Sequence, residues 1–463
     1  MIPTPFALFV IVAALLTRGE NMPRLLMLCC LFGATAAVQL PALGGAPITP
    51  SVLLLPFLLW RALREEGADA CARHLAYPQA GFWLLMVVVW GALSAYFVPR
   101  LFPGETMLYA TERGPAAGVR LLPLQPFSTN LTQTAYAVAS LCAFAALGAL
   151  LQPAGRMARF RDGVLLLASV NCAAAVLNLA ELHLNIPSLL QFVRNASYAI
   201  LVGGDIGGLQ RISGTFAETS TFSAFTVPLF AFTACLWRDG VRPRYSGTVA
   251  LLTLLFLLMS TSSTAYATLG AYVALAAAAT LWRAVTRLQP MRIGAGVWLL
   301  WSAAVVACVL VLARPEIADR LGDFFSITLT RKLESSSGIE RGSWNMQAWT
   351  NFVDLHGLGV GLGTARASSF ALVLLSNLGA LGTALFLAFV ARLLMAPKQA
   401  ASDDAAPVAR ASRHAIVAAL IAACISGTVF DLGLAFYAFA AAASAPVARR
   451  ELRTSNGGAH VSA

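Results

Sequence analysis

Polar side chains with chemistry to offer are few in this chain, and the informative ones fall in two short runs. The first is Arg211-Ile212-Ser213-Gly214-Thr215-Phe216-Ala217-Glu218. The second is His356-Gly357-Leu358-Gly359-Val360-Gly361-Leu362-Gly363, with Arg366 just after it and Arg341 upstream. An arginine offers a planar, permanently charged fork that can bond two phosphate oxygens at once. A positioned imidazole can take a proton from a hydroxyl near neutral pH, an effect on the order of 10²–10⁴-fold in rate. Glu218 can orient a neighbouring arginine or receive ligand hydroxyls, and a carboxylate at that place also starts a helix with favourable sign.

Motifs of soluble enzymes are missing. A dinucleotide fingerprint begun at Gly359 needs glycine where Thr364 stands, and the sequence contains no Walker A motif and no HExxH. No acidic pair has the spacing of a nucleotide-sugar metal site. A nucleotide-driven motor and a metal-dependent transferase therefore gain no support, and no metal or cofactor is expected.

The elements that must position these residues are membrane helices. Of 463 residues, 58% are hydrophobic and only 11% charged, and the mean hydropathy is +0.74. Soluble chains carry about 25% charged residues, so this one has too few to solvate a surface in water. Apolar runs recur near 4–17, 24–40, 48–63, 80–98, 131–151, 163–181, 219–237, 246–260, 264–282, 295–313, 370–391, 413–430 and 431–447. Their lengths match the roughly 30 Å of hydrocarbon that a helix must cross. The expected fold is all-α: a polytopic integral membrane protein of about 12–13 transmembrane helices.

The net charge of +11 suggests nucleic acid until its distribution is read. One set of alternate loops holds 21 Lys/Arg against 9 Asp/Glu, and the other holds 11 against 12. The bias places the first set in the cytoplasm, with the N-terminus outside and the C-terminus inside. The charge thus reports topology, and no nucleic-acid partner is expected. The cysteines lie in or beside apolar runs apart from Cys71, with no CxxC, so neither a disulfide framework nor a zinc site is expected.

Three outer loops are long, near 99–130, 182–218 and 314–369, and long ordered loops tend to carry function. The chain then divides into N-terminal spans over 1–180, a loop over 181–218, central spans over 219–313, a large loop over 314–369 and C-terminal spans with a tail over 370–463. The first loop, punctuated by Pro99, Pro103, Pro115, Pro123 and Pro126, reads as irregular. The second contains an amphipathic stretch over 187–202. In the third, Ser337-Gly338-Ile339-Glu340 matches a capping box opening a helix that Gly357 is placed to end as a left-handed cap. Asp431, between the last two spans, reads as a turn residue.

The pattern Arg-x-x-Gly-Thr-Phe from Arg211, followed by His-x-x-Gly-x-Gly from His356, resembles the O-antigen ligase and polysaccharide polymerase superfamily. The likeness covers roughly 205–385. It implies a metal-independent, inverting glycosyltransferase at the outer face of a bacterial inner membrane. Such proteins move a glycan from polyprenyl pyrophosphate to a sugar hydroxyl. By position, Arg211 matches the family's pyrophosphate-binding arginine and His356 its catalytic histidine, with Arg341 and Arg366 as further candidates for the pyrophosphate and Glu218 in support. The implied partners are a lipid-linked oligosaccharide donor, a glycan acceptor, membrane lipids and other polysaccharide-assembly proteins. Two departures favour an exopolysaccharide polymerase over a ligase. Ser260-Thr261-Ser262-Ser263-Thr264 stands where ligases have Ser-Arg, and Glu218-Thr219-Ser220 replaces the ligase asparagine. A transporter or lipid-linked sugar flippase is the rival from another class; it expects charge near the midplane, repeated halves or broken helices.

Overall fold

The computed structural model describes residues 2–40, 46–112, 118–184, 188–196, 205–206, 209–287, 336–395 and 405–444. Helices α1 (Pro5–Leu16), α2 (Met22–Cys29), α3 (Pro50–Glu65), α4 (Ala68–Leu75), α5 (Ala80–Leu101), α6 (Ser128–Leu151) and α7 (Arg156–Leu184) form the first half. Then come α8 (Thr219–Arg238), α9 (Pro243–Met259), α10 (Ser263–Arg287), α11 (Ser336–Asp354), α12 (Phe370–Met395), α13 (Ala405–Ser426) and α14 (Leu434–Ser444). Seven of the described helices, α5, α6, α7, α8, α10, α12 and α13, are long and apolar enough to cross a membrane. Three shorter ones, α1, α9 and α14, are apolar as well. The protein is a polytopic, helical membrane protein.

The bundle is assembled around α8, which packs between α9 and α13, while α12 lies on α5 and α14 on α6. Small residues let helices approach closely, as membrane packing requires. Gly81 sits against the His74 carbonyl, and Gly247 against the Trp237 ring. One continuous core runs through the bundle and includes Phe144, Phe160, Phe232, Phe386, Phe389 and Tyr437.

Two expectations change. The apolar run over 24–40 is not a span. Helix α2 ends at Cys29, and a series of turns leads into a three-residue strand, Val38–Leu40. The turn is fixed from a distance: the Thr35 hydroxyl donates to the Val193 carbonyl, and the Ala36 amide donates to Asn195 Oδ1 at 2.8 Å. The first long loop, expected to be irregular, instead forms an antiparallel hairpin of Met107–Glu112 with Gly118–Pro123. Pro123 closes the second strand and Pro99, Pro103 and Pro126 lie beyond the hairpin, where they remove no ladder hydrogen bond. Leu108 and Ala110 alternate inward, joining Val98, Leu355 and Val360 in a small separate core.

In the second loop, Leu189–Val193 is a short 3-10 turn that buries Leu190. Residues 187 and 197–202 of the amphipathic stretch and the span expected over 295–313 lie outside the described residues.

Candidate functional site

The run from Arg211 is held as an irregular segment entering α8. Asn178 of α7 accepts from the Ser213 amide at 2.9 Å and the Gly214 amide at 3.1 Å. The buried Arg194 donates through Nε to the Gly214 carbonyl at 2.9 Å, and its Nη2 reaches the same oxygen. The Thr215 hydroxyl donates to the Leu31 carbonyl at 2.6 Å. Backbone groups with no helix or strand to satisfy them are thereby paired inside the protein, as an apolar surrounding demands. Gly214 has φ +55, which favours glycine.

Arg211 is half-buried, and its Nε is enclosed with no hydrogen-bond partner. Burial lowers its pKa from the ordinary arginine value, and Glu218 partly opposes that. Glu218 takes the N-cap position of α8 and receives the hydroxyls of Ser220 and, at 3.3 Å, Thr221.

The second run is built around a break in α12. At Gly379 the backbone leaves the helix, with φ 66 and ψ −167. The carbonyls freed there are all taken: Ser376 by the Val360 amide at 2.7 Å, Asn377 by the Gly361 amide at 3.0 Å, and Leu378 by Trp90 Nε1 at 2.8 Å. The alternating glycines make this possible. A Cβ on Gly359 would lie 2.5 Å from the Gly379 nitrogen, and one on Gly361 would lie 2.6 Å from the Ser94 carbonyl oxygen.

Downstream, the backbone carrying Arg366 is bracketed by three asparagines. Asn377 Oδ1 accepts from the Thr364 amide at 3.0 Å and the Ala365 amide at 3.1 Å. Asn130 Nδ2 donates to the Leu362 carbonyl at 2.8 Å. Asn345 Oδ1 accepts from the Ser368 amide at 2.7 Å. Sequence reasoning missed these asparagines together with Asn178 and Arg194. The local signal for Asn178 and Asn377 was an amide inside a mostly apolar stretch, whereas Asn130, Asn345 and Arg194 stand among polar neighbours and gave none.

Arg366 itself donates its amide to the Tyr109 carbonyl at 2.8 Å, and its guanidinium lies 5.2 Å from the Trp344 ring centroid. Nη1 approaches the Thr111 hydroxyl at 3.4 Å, while Nε is enclosed without a partner. Burial lowers its pKa and Arg341 pushes the same way, against weaker opposition from Glu218 and Glu340. A guanidinium remains charged through such shifts. Among the described residues, neither Arg211 nor Arg366 forms an ion pair with a carboxylate.

Glu218 is thus the shared electrostatic neighbour of Arg211 and Arg366, and Arg341 joins Arg366. His356 stands apart. Its side chain is exposed, and among the described residues no contact ties it to the arginines. Helix α11 is continuous from Ser336 to Asp354, so Arg341 and His356 are about 22 Å apart along its axis. Trp344, on which Arg366 stacks, is about 18 Å from His356 by the same reckoning.

The cap that ends α11 also differs from expectation by one residue. His356 itself adopts φ +52, Gly357 follows at φ +81, and the Gly357 amide donates to the Phe352 carbonyl at 2.8 Å. This is a Schellman closure with histidine, not glycine, in the first left-handed position. Such a conformation costs a side-chain-bearing residue about 1–2 kcal/mol.

A groove of about 330 Å³ opens beside Glu218, between α8, α13 and α14. Its mouth carries Glu218, Ser220, Thr221, Ser426, Thr428 and Asp431. Asp431 also makes the expected turn, accepting the Gly433 amide at 3.0 Å. Below the mouth the walls are apolar, with Phe225, Leu229, Phe436 and Phe439. From Ser220 to Leu229 the α8 wall descends about 13 Å. Thr428 and Val429 also border a smaller pocket containing Arg366, so the two spaces adjoin. Among the described residues, no three His, Cys, Asp or Glu side chains gather where they could hold a metal ion.

The fold and site define a multi-pass helical membrane protein with a cationic cluster at one end of the bundle, beside a groove with a polar mouth. Compared with protein-family models and with curated proteins, the chain matches none.

Proposed function

We propose that the protein is a metal-independent, inverting glycosyltransferase at the periplasmic face of a bacterial inner membrane. It polymerises or transfers a glycan carried on polyprenyl pyrophosphate. One observation carries the reading: Arg211 and Arg366 are partly buried, lack carboxylate ion pairs among the described residues, and both feel the charge of Glu218, which lines an apolar-walled groove. Removing cations from water without a counter-charge is costly unless an anion repays it. A pyrophosphate supplies that anion, and guanidinium forks hold it without a metal.

In the reaction, the acceptor hydroxyl oxygen bonds to the anomeric carbon of the donor sugar. The bond from that carbon to the pyrophosphate oxygen breaks on the opposite face, which inverts the centre. Arg211, Arg366 and Arg341 hold the departing pyrophosphate, and Glu218 contributes its charge to the two nearer guanidiniums. His356, matched by resemblance to the family's catalytic histidine, accepts the proton from the acceptor, which requires the end of α11 to close on the arginines once substrate is bound. The departures at 218–220 and 260–264 favour a polymerase over a ligase that ends the chain on lipid A core or protein.

The break in α12 is the one observation that favours a transporter. Its freed carbonyls each accept an N–H, from Val360, Gly361 and Trp90, so the break serves to seat the glycine run against α12.

Paired variants test the assignment of the proton. His356→Ala should cut turnover by about 10²-fold or more while donor binding persists. Glu218→Gln should cost less, about tenfold, and should weaken donor binding by disturbing both arginines. Polymer length and membrane protein level are measured together. Wild-type polymer from a normally expressed His356→Ala protein removes His356 from the mechanism, and a larger loss in Glu218→Gln transfers the proton to Glu218.

A further inference from the structure

A second cationic site lies at the opposite end of the bundle. Helix α8 runs from Glu218 to Arg238, about 30 Å at the rise of a helix, and the cavity begins where it ends. The cavity measures about 410 Å³ and lies between α8, α10, α12 and α13. Three arginines, Arg238, Arg410 and Arg413, line it together with Tyr272 and His414.

The charges there do not balance. Arg238 Nε donates to Asp239 Oδ1 at 3.1 Å and Arg410 Nε to Asp239 Oδ2 at 2.8 Å, so one carboxylate serves two guanidiniums. Among the described residues, Arg413 has no carboxylate partner. Its Nη2 makes only a long 3.4 Å contact with the Ala443 carbonyl, and its Nε is enclosed without a partner. Arg410 is close enough to repel it. The Tyr272 hydroxyl and His414 Nδ1, 2.8 Å apart, complete the polar part of the wall. Among the described residues, three cations face one anion there, partly removed from water, and leave a positive site that an anion would stabilise.

The remaining lining says what the anion carries. Leu275, Ala276, Ala279, Leu394 and Val417 complete the wall, and Leu275 and Leu394 are 51% and 39% exposed. A small hydrated anion gains nothing from such a rim, whereas an amphiphile places its phosphate among the arginines and its chains along the leucines. The alternate-loop charge bias assigns this end to the cytoplasmic leaflet, whose anionic lipids attract basic residues. We propose that this cavity is a binding site for the phosphate group of an anionic phospholipid, independent of the glycan site at the other end.

The test uses the full-length protein, purified and stripped of lipid in an uncharged detergent. Phosphatidylglycerol, phosphatidylethanolamine and inorganic phosphate are added separately, with retained lipid read by native mass spectrometry and stability by thermal unfolding. Wild-type protein should retain phosphatidylglycerol about tenfold more tightly than phosphatidylethanolamine, the scale of one charge-assisted hydrogen bond. Arg413→Gln should lose that preference. Arg392→Gln, whose arginine bonds the Pro78 carbonyl and lies outside the cavity, should keep it. Equal uptake of the two lipids by wild-type protein overturns the proposal, with no variant needed. An unchanged preference in Arg413→Gln overturns it too. Stabilisation by inorganic phosphate as strong as that by phosphatidylglycerol overturns the lipid and leaves a soluble phosphate as the occupant.

Discussion

Replacing Arg366 with lysine should reduce glycan polymer by about 10²-fold, although the charge is kept, and replacement with glutamine should reduce it further. The reason is geometric. The guanidinium lies against the Trp344 ring and keeps one N–H enclosed without a protein partner. A lysine cannot stack flat on that ring, and its ammonium cannot bond two phosphate oxygens in one plane. Preorganised donors of this kind are typically worth about 10²–10³-fold each when charge develops on a leaving group. Stability should move in the other direction. The segment is positioned by its backbone, through Asn377, Asn130 and the Tyr109 carbonyl, so it keeps its shape without the side chain. Arg366→Gln also removes a half-buried cation repelled by Arg341 and should therefore unfold at the same temperature as wild type or higher. Polymer length on gels, protein level in membranes and thermal unfolding in detergent measure all three. Full-length polymer from a normally expressed Arg366→Gln protein would remove the arginine from the site.

Gly379→Val should have the largest effect on the fold. A Cβ at this position would lie 2.2 Å from the Leu358 carbonyl oxygen and 2.3 Å from that of Gly357, both backbone atoms. The backbone itself, at φ 66 and ψ −167, occupies a region that is essentially limited to glycine, at a cost of about 1–3 kcal/mol for other residues. Overpacking adds a further ~1–3 kcal/mol. Together these forces must push the glycine run out of the break in α12 and release its carbonyls into an apolar surrounding. The expected result is loss of the protein from membranes, or a large fall in its unfolding temperature. Gly104→Ala is the control: φ is also positive, at +79, but nothing lies within 4 Å of the added carbon. That protein should lose about 1–2 kcal/mol at most and accumulate normally. Equal stability of the two variants would mean that the close approach of the glycine run to α12 is not needed.

Much of the fold is legible in the sequence because hydropathy over some twenty residues needs no tertiary information. The exceptions have identifiable causes. The run over 24–40 is as apolar as its neighbours, yet it turns back because Thr35 and Ala36 bond to Val193 and Asn195, partners some 160 positions away that no local pattern announces. The hairpin over 107–123 was hidden by its prolines, although Leu108 and Ala110 carried the alternation of a half-buried strand. At the site, the types and order of Arg211, Glu218, His356 and Arg366 could be read, but not their grouping. Two arginines share Glu218, while a continuous α11 holds His356 at its far end. The asparagines that shape the two runs were illegible for the same reason as Thr35: Asn178 acts on Ser213 and Gly214, and Asn130 acts on Leu362.

The central claim is that this membrane protein forms a glycosidic bond from a polyprenyl-pyrophosphate-linked donor. The most direct measurement supplies purified protein in liposomes with labelled donor and acceptor glycan, in EDTA. It follows two products, the extended glycan and the released polyprenyl pyrophosphate. With Arg211 and Arg366 holding the leaving group, both should appear in equal amounts, should persist without divalent cations, and should vanish together in Arg211→Ala. Donor that crosses the bilayer unchanged, with no new glycosidic bond and no free polyprenyl pyrophosphate, would contradict the account and make the protein a transporter.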